Sequence, residues 1–577
     1  MTLSEGDGFM RSTDWFGGHS RGAIIARSGL KNQGYGDQVF DGRPVIGIAT
    51  TWSDLSTCNA SQQQLAEAVK RGVWQAGGFP LEFPNMALAE PLMRPTTMMY
   101  RNLLAMQAEE SIRAHPLDGV VLLSGCDKTT PGLLMAAISV DLPAIMLTNG
   151  PQLNGKYRGN DVGNGTLVWR AEEDMLAGRM TEEECFFIER CGARSLGTCS
   201  TMGTASTMAS IVESLGMQLP NASSWPAVDA RRHAAAEQSG RRIVEMVSED
   251  LKPSDLLTEA AFINAIRVNA AIGGSTNAVV HLIAIAKRAG LKLDLDDFDR
   301  YTRDVPTLVN LQPSGKYLME DFCYAGGLPA LMNELGDLLD LTPLTVTGRS
   351  LGENIAGAEN FNTDVITPAD KPFRPVGSGT AVLRGTLAPD TAVVKQSAAT
   401  ERLLQHRGPA KVFDDVADYY AVCADDDLDV DENTVLVIRN AGPKGYPGMP
   451  EVANVPVPKK LLDKGIDDII RISDGRMSGT AYGTVILHVS PEAAVGGPLA
   501  FVRDGDIISV DVPNRRLDLE VPEEELEERK KQWQDPGNPF DRGYIRLYHS
   551  HVMQASEGAD FDFLAGKSGS AVPRESH

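Results

Sequence analysis

Residues 119–124 (GVVLLS) and 143–148 (PAIMLT) are apolar without alternation. A strand with one wet face alternates, so unbroken runs of this length predict strands covered on both faces. Helical patterns separate them. Residues 62–75 have amphipathic spacing behind Asn59, a capable N-cap, and residues 201–214 (TMGTASTMASIVES) form a small-residue helix suited to close packing. Further helices fit 226–249 and 256–269, and 277–289 (NAVVHLIAIAKRA) is apolar enough for a core helix. The series predicts an α/β fold, a layered sheet with helices on both faces. After the loop-like stretch 362–379 the character changes. Short strand candidates at 380–384, 393–395, 434–438, 468–472, 484–489 and 506–512 are separated by Gly, Asp and Pro turns. They predict a C-terminal β-rich, barrel-like domain. At 577 residues the chain is too long for one ordinary core, and the boundary falls near residue 370, giving domains 1–370 and 371–577. The acidic stretch 522–536 (PEEELEERKKQWQDP) predicts a solvated surface helix.

With 54 basic and 77 acidic side chains the net charge is −23, which opposes binding to nucleic acid or to an anionic membrane surface. No run reaches the roughly 18 uninterrupted apolar residues of a membrane span. The opening MTLSEGDGFMRSTDWF has no basic segment feeding an apolar one, so no secretory signal is expected. Seven cysteines are too sparse for a disulfide scaffold. They suit a reducing cytoplasm, where thiols are free to bind metal.

Three of them have unusual settings. Cys58 lies in STCNASQQQ, Cys126 in LLSGCDKTTPG and Cys199 in GTCSTMGTAS, each ahead of a helix candidate. A helix N-terminus lowers a thiol's pKa and offers free N–H groups to sulfur. The bland alternative is a packed small hydrophobe, the reading given to Cys185, Cys191, Cys323 and Cys423. No C-x-x-C pair supports a zinc ribbon or compact ferredoxin. What sets Cys126 apart is Asp127 and Lys128 beside it at a strand end, where ligand sites gather in α/β proteins. Soft sulfur favours iron and hard carboxylate oxygen favours magnesium or manganese, so two metal centres could lie side by side. Taken singly, Asp127 could be a helix cap and Lys128 a solvated side chain. ISDGRMSGTAYGTV supplies Asp474, Arg476, Ser478 and Thr480 on a glycine-interrupted loop, and GPKGYPGMPE ends on Glu451, available to a metal; both read equally as turns. No G-x-S-x-G elbow, P-loop or H-E-x-x-H motif is present. GNGT at 163–166 reads as a turn, His281 as a packed helix residue and His488 as a strand residue.

In combination and order, STCN, GGFPLEFP, GCDKTTPG, GTCSTMGTAS, IGGSTNAVVHL, GPKGYPGMPE and SDGRMSGTAYG resemble the dihydroxy-acid and sugar-acid dehydratase family. That group contains dihydroxyacid, phosphogluconate and aldonate dehydratases, and the resemblance covers nearly the whole chain. It implies an active site between an N-terminal α/β domain and a C-terminal β-rich domain, in a homodimer or dimer-based homotetramer. It implies Cys58, Cys126 and Cys199 as cluster ligands, three cysteines favouring a 2Fe-2S cluster over a four-iron one. It places Glu90, Asp127 and Glu451 around Mg2+, with Lys128 carboxylated on its amine. Ser478 is then the general base and Thr480 lies near the substrate carboxylate. The implied reaction removes the C2 proton and the C3 hydroxyl, with iron assisting the leaving group, and gives a 2-keto-3-deoxy acid. Around Glu90 the sequence NMALAEPLMRPTTMMYRNLLA lacks the Asp-Gly that branched-chain enzymes show near positions 90 and 91. This resembles the aldonate branch, whose substrates include arabinonate, xylonate, fuconate and galactonate. A branched-chain 2,3-dihydroxy-acid dehydratase is the nearer alternative. An iron–sulfur redox or iron-sensing switch protein is the alternative of another class.

Overall fold

The computed structural model describes residues 10–568. Residues 1–9 of the opening segment, where no secretory signal is expected, lie outside the described residues. Val45–Thr50 (β1), Phe79–Pro84 (β2), Gly119–Ser124 (β3) and Ala144–Thr148 (β4) form one parallel sheet in the order β2-β1-β3-β4. β1, β3 and β4 are buried at every residue, which is why their sequences do not alternate. β2, at the edge, is partly exposed along its second half. Helices Gln62–Gln75 and Ala230–Glu249 pack against each other and on this sheet. They meet through glycine: a Cβ on Gly72 would lie 1.9 Å from the Glu237 carbonyl oxygen, and one on Gly240 2.2 Å from that of Val69. Helices Met98–Ala114 and Thr129–Val140 form a second packed pair.

One expected cap is corrected. The helix at 62–75 begins behind Ser61, while Asn59 ends a short 3-10 turn. Its buried amide donates to the carbonyl (2.9 Å) and hydroxyl (3.0 Å) oxygens of Thr51. Pairing its buried amide with Thr51 takes Asn59 out of the capping role; the helix starts from the Ser61 carbonyl, which accepts from the N–H groups of Gln64 and Leu65, with no side-chain cap.

The C-terminal strands are Thr380–Leu383 (β5), Thr391–Lys395 (β6), Gln405–Phe413 (β7), Val435–Ile438 (β8), Arg471–Ser473 (β9), Val485–Ser490 (β10), Ile507–Asp511 (β11) and Arg516–Leu519 (β12). They form one sheet ordered β12-β11-β7-β8-β9-β10-β6-β5. Its ends meet, since Arg384 N–H donates to the Arg515 carbonyl and Leu517 N–H to that of Arg384, each at 3.0 Å. The expected α/β region with a barrel-like C-terminal sheet is therefore present. Strands β7 and β12 escaped sequence reading. QHRGPAKVF carries Gly408 and Pro409 in mid-strand, a turn signal, and RLDL is short and half charged. The segment 523–532 is the expected surface helix. Among the described residues no helix is long and apolar enough to cross a membrane.

The barrel-like sheet is not packed apart from the first region. Ala392 and Val394 face its own core, whereas Val382, Val393, Val485 and Leu487 join the core of the N-terminal sheet. Lys395 shares the face of Val393 by strand alternation and is 2% exposed. Its Nζ finds no hydrogen-bond partner among the described residues, and burial lowers its pKa from 10.5 to about 7. The folded chain thus binds fewer protons there than the unfolded chain between pH 7 and 10.5. Stability is withheld below pH 7 and recovered as pH climbs toward 10.5. Lys395→Met is expected to raise the thermal midpoint most at pH 6, with the advantage shrinking by pH 9. A wild type that outlasts the variant at pH 6 would show the ammonium to be paired.

Candidate active site

The C-terminal ends of parallel strands face loops from the barrel-like sheet across a cavity of about 540 Å³. Cys58 follows β1, Glu90 follows β2, and Cys126, Asp127 and Lys128 follow β3 directly. Cys199 arrives beside the end of β4 because Pro151 and Thr198 form a bridge. Convergence of these loops depends on Gly125. A Cβ there would lie 2.3 Å from Asn59 Oδ1, 2.4 Å from Asn149 Nδ2 and 2.8 Å from the Cys58 carbonyl oxygen. Asn149 Nδ2 also donates to that carbonyl at 2.7 Å, tying the loop after β4 to the cysteine after β1.

Cys58, Cys126, Cys199, Glu90, Asp127, Glu451, Ser478 and Thr480 all line the cavity. Lys128 is buried just behind it, in contact with Asp127, 3.6 Å from Glu451 Oε1 and 3.9 Å from Glu90 Oε2. Neither the solvated lysine nor the capping aspartate applies: Lys128 side-chain exposure is 0%, and Asp127 accepts from the Cys126 thiol (3.0 Å) and the Lys128 ammonium. Glu90 accepts from the hydroxyl and amide of Thr97. Glu451 accepts from Asn277 Nδ2 (2.6 Å) and Arg476 Nη1 (2.9 Å). Arg476 Nε in turn donates to the Met449 carbonyl at 2.6 Å, fixing the loop that carries Glu451.

Burial pushes the Asp127 carboxyl upward, but the Lys128 charge, hydrogen bonds from Cys126 and Lys128, and Arg476 outweigh it and hold it below its usual range. Burial opposes the Lys128 charge, yet Asp127, Glu451 and Glu90 keep it raised. Burial raises Glu451 against the pull of Lys128 and Arg476. The thiols correct an expectation. Cys58 is lowered through its contact with Cys126, but that same contact, burial and Asp127 raise Cys126. Burial with neighbouring Cys58 and Asp127 pushes Cys199 up to about 12. Helix N-termini are too weak to offset burial beside anions.

Cys126 and Cys199 therefore gain most from a cation that would favour their thiolates, and three carboxylates share one wall with the three cysteines. The donor set fits two groups, soft sulfur for iron and hard oxygen for magnesium. Among the described residues no three of these side chains already form a metal cage. The Lys128 ammonium is the cation the carboxylates share. Cys185, Cys191, Cys323 and Cys423 are not cavity walls. His281 is buried in helix Asn277–Arg288 against Arg101 Nη1 at 3.0 Å, and His488 lies on β10, as expected of both.

Ser478 and Thr480 sit on the loop from β9 to β10, with their hydroxyl oxygens 2.9 Å apart. Gly479 between them passes so close to helix Thr204–Ser214 that a Cβ would lie 2.5 Å from Thr204 N. Sequence reasoning missed Asn277, whose signal was an amide at the start of an otherwise apolar helix, a group that must find a buried partner. It also missed the 163–176 segment. GNGT turns as expected, but it launches helix Thr166–Leu176 onto Thr480, and the indole of Trp169 was the available signal.

Residues 43–354 match the family model described as dihydroxy-acid/6-phosphogluconate dehydratase N-terminal, and residues 364–559 match its C-terminal counterpart. The fold and its thiol- and carboxylate-lined cavity are thus of the dehydratase class. The chain belongs to the dihydroxy-acid/6-phosphogluconate dehydratase family. It is 57% identical to the L-arabinonate dehydratase of Rhizobium leguminosarum bv. trifolii over 570 residues, 98% of each chain. It is 53% identical to the L-arabonate dehydratase of Azospirillum brasilense, over 98% of this chain and 99% of that one. Identity to the 6-deoxy-6-sulfo-D-gluconate dehydratase of Pseudomonas putida is 48%, covering 98% and 97%.

Proposed function

We propose that this chain dehydrates an aldonate, with L-arabinonate the first candidate and D-xylonate, D-fuconate and D-galactonate in the same class, to the 2-keto-3-deoxy acid. The observation that carries the reading is one cavity joining three thiols, three carboxylates around a buried lysine, and a paired serine and threonine. The relatives named for sugar acids support the substrate class. Cys58, Cys126 and Cys199 would hold a 2Fe-2S cluster, and Glu90, Asp127 and Glu451 with Lys128 would hold Mg2+. When bound, these groups supply Lewis acidity toward the substrate's carboxylate and hydroxyls. An ammonium has no lone pair for a metal, so Lys128 joins that set as its carbamate. Ser478 Oγ takes the C2 proton. As its alkoxide Ser478 becomes a hydroxyl on taking that proton; the C2–H electron pair becomes the C2=C3 bond as the C3 hydroxyl leaves with its C–O pair, and the proton held on Ser478 passes to it, releasing water and restoring the alkoxide. The resulting enol tautomerises to the ketone. Thr480 stands beside Ser478, near where the substrate carboxylate would lie, and steadies the oxygen that receives the proton. A homodimer or dimer-based homotetramer in a reducing cytoplasm completes the proposal.

An anaerobic screen over stereoisomeric C4 to C6 aldonates, with 2,3-dihydroxyisovalerate as a competitor, tests it. Scoring the 2-keto acid product, kcat/KM should favour at least one aldonate by roughly tenfold or more, because a pocket that pairs hydroxyls discriminates against substrates lacking them. Preference for dihydroxyisovalerate would reassign the substrate. No turnover with iron and magnesium loaded would overturn the reaction.

A further inference from the structure

Helix Thr166–Leu176 grips the Ser478–Thr480 loop with one continuous face. Thr166 Oγ1 donates to the Thr480 carbonyl at 2.9 Å, and Trp169 Nε1 donates to Thr480 Oγ1 at 2.9 Å. Arg170 lies 5.7 Å over the ring of Tyr482, whose hydroxyl donates to Glu173. Positions 166, 169, 170 and 173 follow i, i+3, i+4, i+7 spacing, a single side of a helix. Thr480 is walled in by backbone. Gly165, at φ +109°, and Gly203 each approach so closely that a Cβ on either would lie 2.7 Å from Thr480 Cγ2. The side chain is held in place for its hydrogen bonds.

The consequence lies in the direction of those bonds. An indole N–H donates and cannot accept. It occupies a lone pair of Thr480 Oγ1 and polarises that hydroxyl into a stronger donor. Ser478 Oγ, 2.9 Å away, is in reach of the Thr480 proton and also accepts the Thr480 amide N–H at 3.3 Å. Two donors then converge on one serine oxygen, which stabilises negative charge there.

We propose that Trp169 is a positioning residue that directs the Thr480 hydroxyl toward Ser478 Oγ and so holds Ser478 as the proton acceptor. The inference rests on the reading of Ser478 as the base. Trp169 lines the cavity and is only partly buried, so phenylalanine can keep an aromatic ring there while removing the N–H together with the five-membered ring that carries it.

With L-arabinonate, or whichever aldonate wild type turns over best, Trp169→Phe should lower kcat by roughly ten- to hundredfold with KM within about threefold. The primary isotope effect on the 2-deuterated substrate should rise, since proton removal becomes more rate-limiting. In a Thr480→Val background the same change should cost less than about threefold further, because the residue through which it acts is gone. Packing alone would move stability and KM without raising the isotope effect. Unchanged kcat and isotope effect, or a full additional loss in the Thr480→Val background, overturns the inference. Should Trp169→Phe fail to fold, Thr480→Ser is compared with Thr480→Val. The hydroxyl should restore kcat more than KM, and equal kcat in the two overturns the inference. Wild-type turnover is the separate control: its absence sinks the proposed function, whereas its presence with an unaffected Trp169→Phe sinks only this role.

Discussion

Ser478→Ala should lose at least about 10³-fold in kcat while the fold and both metal contents stay as in wild type. The substitution removes one oxygen. Among the described residues that oxygen pairs with Thr480 alone, through its hydroxyl at 2.9 Å and its amide at 3.3 Å. Losing such a pairing at a partly open cavity wall costs on the order of 1 kcal/mol of stability, too little to unfold a core this extensive. The Ser478 backbone remains anchored, since its N–H donates to Asn454 Oδ1 at 3.2 Å. A large kinetic loss without a stability loss is thus the signature of a group needed in the transition state. Exchange of the C2 hydrogen with solvent deuterium gives a second measure and should stop along with turnover. A variant with kcat within about threefold of wild type would remove Ser478 from the base role, leaving the metal-side residues untouched.

What could be read beforehand followed from locality. β3 and β4 were legible because a strand buried on both faces writes an unbroken apolar run, and Cys126, Asp127 and Lys128 because they are consecutive. β7 was not, because Gly408 and Pro409 carry a turn signal that tertiary pairing overrides: Gly408 pairs with Ile508 and Pro409 with Ile507 in the ladder. The contacts that orient the site were also out of reach. Asn277 meets Glu451 across 174 positions and Trp169 meets Thr480 across 311, and no local pattern records such a meeting. The thiols show a different failure. A helix start ahead of each cysteine pointed to lowered pKa values, but the contact with Cys58, burial and Asp127 decide the sign for Cys126, and burial with neighbouring Cys58 and Asp127 decides it for Cys199; all are properties of the folded chain.

On the proposed cluster assignment, Cys126→Ser should abolish the cluster's visible absorption, strip its iron and reduce turnover by at least about 10³-fold. Serine is nearly isosteric, so the backbone geometry around Gly125 is preserved, but its oxygen is a hard, weakly acidic donor ill matched to iron. Cys126 is 3% exposed and its thiol touches both Asp127 and Cys58. A hydroxyl can keep the hydrogen bond to Asp127 while failing as a cluster ligand, which separates metal loss from misfolding. Cys423→Ser is the matched control, since Cys423 is buried at 5% exposure in a different core cluster, with Tyr419 and Leu428. That variant should keep iron, spectrum and turnover even if its thermal midpoint falls. Equal loss of iron in both would point to general destabilisation, and retention of spectrum and iron by Cys126→Ser would exclude it as a ligand. The sharper outcome is iron lost with magnesium retained. In the proposed site Asp127 would bind magnesium through oxygen, and its carboxylate is held by Lys128 as well as Cys126, so the oxygen-lined half should survive the loss of the sulfur-lined half.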